Sequence, residues 1–174
     1  MTPDVSPERH VYGPVDAPVT ILEFGDLECP YCRAAGPVLR EVVDSSGGLA
    51  RLVWRHFPLF ELHPYALTAA LATEAAAAVG RFWDLHAVLL EHQDRLTEPD
   101  LRRYARDLGL DPGTVAGDAV QAYAPAIQAD YAAAVERGVR GTPTILVDGV
   151  VQPGRARVDT LLAAVRAAGA RAGG

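Results

Sequence analysis

The chain holds two cysteines, and only two residues separate them: Cys29-Pro30-Tyr31-Cys32. Two thiols so spaced can cycle between dithiol and disulfide, help to hold a metal, or stand inert. The redox reading has a physical logic. The run Val19 to Gly25 (VTILEFG) precedes the pair and reads as a buried strand. Pro30 suits the first position of a helix, where its missing N–H costs nothing. Cys29 then falls at the N-cap, where free backbone N–H groups and the positive end of the helix dipole point at its sulfur. Both favour thiolate over thiol, and the thiolate is the nucleophile. Cys32 lies three residues on, on the same helix face. It can attack a mixed disulfide formed at Cys29 and release the partner. Cys29 is thus the attacking thiol and Cys32 the resolving one.

The metal reading has less behind it. A zinc site needs four ligands, or three and a water. The histidines are His10, His56, His63, His86 and His92, with no tight His-x3–5-His spacing and no second Cys-x2-Cys. No metal and no cofactor beyond the Cys29–Cys32 pair are expected.

The elements that must position this pair can be read from pattern. The first strand leads through Asp26-Leu27-Glu28 into a helix from about Pro30 to Asp44, with Pro37 predicting a kink. Ala50 to Phe57 alternates and reads as a second strand. From about His63 to Arg137 the pattern is helical, with room for four or so helices and breaks near Gly80, Glu98-Pro99 and Leu110 to Gly113. Thr97 is a suitable N-cap. Thr144 to Val147 and Val150 to Gln152 flank Asp148-Gly149, a hairpin signal. A last helix covers about Val158 to Ala168, and the small-residue end, Ala167 to Gly174, is expected to fray. A βαβ unit takes about 30 residues, so the helical block exceeds a simple crossover and is expected to be an insertion.

The 174 residues fit one domain that needs no staple to fold. The net charge of −6 argues against general nucleic-acid binding. All cationic residues are arginine, which reads as a compositional habit. The most apolar stretch, Tyr65 to Val79, is too short and too interrupted to span a membrane. Met1 to Val11 has no apolar core and does not read as a secretory signal, so a cytoplasmic location is expected.

Three segments together carry a resemblance: ILEFGDLECPYC at 21–32, FWDLHAVLLEHQ at 82–93 and GVRGTPTILVDG at 138–149. The chain resembles the DsbA-like branch of the thioredoxin superfamily along nearly its whole length. The resemblance implies an α/β, thioredoxin-like fold: a central mixed sheet flanked by helices, with a core of about 10–62 and 138–170 and a helical insertion of about 63–137. It implies thiol–disulfide oxidoreductase activity on protein thiols and disulfides, with glutathione or a thioredoxin-type protein as candidate donor. It gives Pro143 a cis peptide bond facing the cysteines. It lets the Thr142 backbone bind an extended substrate strand, with Pro30 and Tyr31 on the substrate-facing side. It puts Glu23 under the cysteine motif as a buried acid with a raised pKa, able to take a proton from Cys32.

Some features depart from the strongly oxidising members. These carry Pro-His between the cysteines, where this chain has Pro30-Tyr31, and Glu28 adds a negative charge beside Cys29. Both predict a less acidic Cys29 and a weaker oxidant. Two other readings stay open. Glutathione-dependent isomerases and kappa-class glutathione transferases resemble this fold but carry a single nucleophile. A non-enzymatic docking module would need neither cysteine. The remaining polar residues read plainly. Trp54 belongs to the core, and Phe82, Trp83 and His86 pack between helices. His63-Pro64 starts a helix, and Arg102, Arg103, Arg106 and Asp107 form a solvated face.

Overall fold

A computed structural model describes residues 9–172. The expectation of no secretory signal falls largely on residues 1–8, outside that range. The strands are β1 (Val11–Tyr12), β2 (Val19–Gly25), β3 (Ala50–His56), β4 (Thr144–Val147) and β5 (Val150–Gln152). The helices are α1 (Pro30–Asp44), α2 (Ala66–Ala77), α3 (Phe82–Glu91), α4 (Glu98–Asp107), α5 (Ala124–Glu136) and α6 (Val158–Ala172), with a 3-10 turn at Gly117–Tyr123 before α5. The sheet order is β1-β3-β2-β4-β5, with β2 and β3 parallel and the other pairs antiparallel. This is the expected mixed sheet of a thioredoxin-like fold.

β2 is central and covered on both faces, which is why its sequence is a near-continuous apolar run. Val19 and Ile21 join Leu39 and Val42 of α1 and Leu161 and Val165 of α6 in one core. Phe24 turns to the other side and meets Phe57, Leu146 and Ala134 of α5. Glu23, two residues beyond Ile21, therefore shares the α1 face by strand alternation. α2, α3 and α4 share a further core that takes in Trp54 and both cysteines. The helical stretch 63–137 thus divides: α2 to α4 pack on one another over the cysteine end, whereas α5 lies against the sheet. Each large apolar side chain so buried contributes about 1.5–3 kcal/mol.

Details depart from expectation at the edges. β1 was not anticipated. α6 continues to Ala172 instead of fraying from Ala167; residues 173–174 lie outside the described range. Thr97 does cap α4, and Asp100 completes a reciprocal capping box. At the hairpin Asp148 and Gly149 both have positive φ, 46° and 80°, as the tight turn requires.

Candidate active site

β2 ends on Gly25, and the close approach there is obligatory. A Cβ on Gly25 would lie 2.1 Å from the Trp54 ring. The chain then turns through Asp26 to Glu28 and enters α1. Cys29 is the N-cap, with extended φ −78° and ψ 122° and no side-chain cap bond. Its carbonyl accepts the Arg33 N–H at 3.1 Å, and its own N–H donates to the Asp26 carbonyl at 3.1 Å. Both cysteines are reduced and nearly buried, Cys29 at 3% exposure and Cys32 at 0%. The Asp26 N–H donates to Cys32 Sγ at 3.4 Å. Gln93, in the turn after α3, donates to the carbonyls of Leu27 at 3.0 Å and Cys29 at 2.8 Å. It clamps the cysteine turn from the helical side.

Facing the pair is the segment before β4. The Thr142–Pro143 peptide bond is cis. Cys29 Sγ lies 3.4 Å from the Thr142 carbonyl oxygen. Pro30, Tyr31, Thr142, Pro143 and Arg155 line an adjoining groove of about 520 Å³. Tyr31 is 63% exposed on its wall.

The two thiols differ sharply in acidity. The hydrogen bond to the Cys32 thiol is the main force holding Cys29 down, to about 5. Burial opposes this, and Thr142 with the backbone N–H groups of Cys32 and Tyr31 add to it. Burial drives Cys32 well above an ordinary thiol, helped by its hydrogen bond to Cys29 and by the charges of Glu23 and Cys29. Glu23 is 1% exposed and its Oε1 has no partner. Burial first, then the Cys29 charge, pushes its carboxyl up to about 8. The Glu28 carboxylate is turned to the loop before α2, where its Oε2 accepts the Tyr65 N–H at 2.7 Å.

Residues 5–167 match the model of a family described as thioredoxin. The chain belongs to the thioredoxin family. It is 32% identical to a thioredoxin-like oxidoreductase from Silicibacter pomeroyi, with a TM-score of 0.80 over 94% of this chain and 93% of that one. It is 25% identical to BdbD from Bacillus subtilis, with a TM-score of 0.82 over 94% of each. It is 47% identical over 171 residues to the Na(+)/H(+) antiporter NhaA 3 of Salinispora tropica, which is 97% of this chain and 26% of that protein. The chain spans about a quarter of the length of the curated relatives it matches. The thioredoxin-family membership and these neighbours bear out the DsbA-like resemblance and support an oxidoreductase.

In this thioredoxin-family member, Asp26, His63 and Gln93 belong to the site, and sequence reading gave them no role. Asp26 and His63 are 37 positions apart, yet Oδ2 and Nδ1 are 2.7 Å apart. One sequence cannot show such a pairing; the sequence reads His63-Pro64 as a helix start, whereas α2 begins at Ala66 and leaves both residues in the preceding loop. The structure also gathers His10, His56 and Glu74, whose nearest ligand atoms lie within 4.8 Å of one another. The Trp54 indole N–H donates to His56 Nδ1 at 3.1 Å, and His56 Nε2 lies 3.2 Å from Glu74 Oε1. Arg9 Nη2 reaches the same oxygen at 3.0 Å and Asp130 at 2.6 Å. The cluster is a buried ionic network tying the N-terminal segment to β3, α2 and α5.

Proposed function

We propose that the protein carries out dithiol–disulfide exchange with protein substrates through Cys29 and Cys32. The observation that carries this reading is the asymmetry of the pair. A helix N-terminal thiol titrates near 5 while its partner, three residues on, is held protonated.

In the reducing direction, the Cys29 thiolate attacks one sulfur of a substrate disulfide. A mixed disulfide forms, and the other substrate sulfur leaves as a thiolate that takes a proton from water. Cys32 then gives its proton to the Glu23 carboxylate and attacks Cys29 Sγ. The Cys29–Cys32 disulfide forms, and the second substrate thiolate leaves. Two electrons pass from the dithiol to the substrate. The oxidising direction is the same path reversed. Glu23, poised near 8, can accept and return that proton at neutral pH.

The groove beside Cys29 accommodates an extended chain, with Thr142 offering backbone groups to it as an added strand would. Pro30, Tyr31 and Pro143 provide its apolar wall. Glutathione or a thioredoxin-type protein is the proposed partner that resets the pair.

The test is turnover on a disulfide-bonded protein together with trapping. Cys29→Ser should abolish exchange. Cys32→Ser should accumulate a mixed disulfide through Cys29. Full turnover by Cys29→Ser would sink the reading.

A further inference from the structure

A buried acid next to an attacking thiolate should harm it, because like charges oppose one another. Asp26 is such an acid. It stands three residues before Cys29 and is 1% exposed. Its two side-chain oxygens are fully engaged. Oδ1 accepts the Glu28 N–H at 2.7 Å, and Oδ2 accepts the Leu59 N–H at 2.9 Å and meets His63 Nδ1 at 2.7 Å. Its backbone reaches both cysteines, through the N–H to Cys32 Sγ and the carbonyl to the Cys29 N–H. Whatever fixes Asp26 therefore fixes both sulfurs. A second tie joins the same segments, since Glu28 Oε2 accepts the Tyr65 N–H.

We propose that His63 is a positioning residue for the exchange reaction: through Asp26 it holds the turn that carries both sulfurs and offsets that acid's charge in favour of the Cys29 thiolate. The inference rests on the exchange reading above. It supplies from the loop before α2 the histidine that is missing between the cysteines. The groups facing His63 are Asp26 and Glu28 of the turn and Cys29 at the start of α1. Burial alone would lower its pKa, but the Asp26 hydrogen bond and charge, with the charges of Cys29 and Glu28, raise it above the ordinary value. The imidazolium is thus held to a higher pH than in an ordinary histidine and is lost as pH rises further.

A structural clasp and an electrostatic partner differ in what they move. The experiment measures the Cys29 thiolate by its ultraviolet absorbance against pH, and the reduction potential in glutathione buffers, for wild type, His63→Gln, Asp26→Asn and the double variant. His63→Gln should raise the Cys29 midpoint by about one unit. It should also stabilise the disulfide about tenfold, about 30 mV more negative. The double variant should return both readings toward wild type, because no acid is left to offset. A folded His63→Gln with wild-type midpoint and potential would overturn the proposal and leave only a structural clasp. Should His63→Gln fail to fold, Asp26→Asn decides. It must leave Cys29 at least as acidic as in wild type, and a less acidic Cys29 would overturn the proposal. None of these results resembles failure of the exchange reading itself, whose mark is turnover by Cys29→Ser.

Discussion

Replacing Glu23 with glutamine should stabilise the reduced protein, and the gain should grow with pH. A carboxyl moved from 4.5 to about 8 by full burial penalises its charged form by about 5 kcal/mol, an upper figure. The folded pKa lies above the unfolded one. Stability from this group is therefore fully present below about 4.5, falls as pH rises, and levels off above about 8. The wild type should have lost about 3 kcal/mol by pH 7 and about 5 kcal/mol by pH 9 relative to pH 4. Glu23→Gln keeps the shape of the side chain and removes the titration. The assay is urea unfolding of both proteins, kept reduced, at pH 4, 7 and 9. The difference in unfolding free energy should be near zero at pH 4 and open toward the alkaline side. Resolution of the mixed disulfide should slow in the same variant, because Cys32 loses its proton acceptor. A stability difference that stays constant with pH would refute the reasoning, for it would mean that Glu23 is not the buried acid described.

Other consequences can be checked alongside. Gly25→Ala forces a methyl group into the Trp54 ring and should cost about 1–3 kcal/mol in denaturant unfolding. Gln93→Ala removes two hydrogen bonds to the cysteine turn. It should cost about 1–2 kcal/mol and lower the exchange rate, which stopped-flow turnover would report. Leu85→Ala empties a fully buried position in the helical core and should cost about 2–5 kcal/mol, read from the thermal midpoint.

The parts of this protein that follow local rules were legible in its sequence. β2, α1 and the β4–β5 hairpin fall where apolar alternation, Pro30 and Asp148-Gly149 put them, because each is set by neighbours along the chain. β1 was not legible. Two residues have no period, and Val11 and Tyr12 form a strand only because Val53 and Leu52 lie opposite. The same limit hid part of the site. Cys29, Cys32 and the Glu23 position are written into one strand–turn–helix. His63 and Gln93 reach the cysteine turn across 37 and 64 positions, through contacts that no spacing rule describes. Glu28 has a contact of the same kind: its carboxylate holds the Tyr65 backbone, which its place beside Cys29 in the sequence does not reveal.

The most direct test of the central claim is the pH dependence of alkylation in the reduced protein, with the modified residue mapped by mass spectrometry. Iodoacetamide should modify Cys29 with a midpoint near 5, while Cys32 stays unmodified through pH 9. If Cys32 reacted first, or if Cys29 titrated near an ordinary thiol's 9, the account of an attacking thiolate above a protonated resolving thiol would be contradicted.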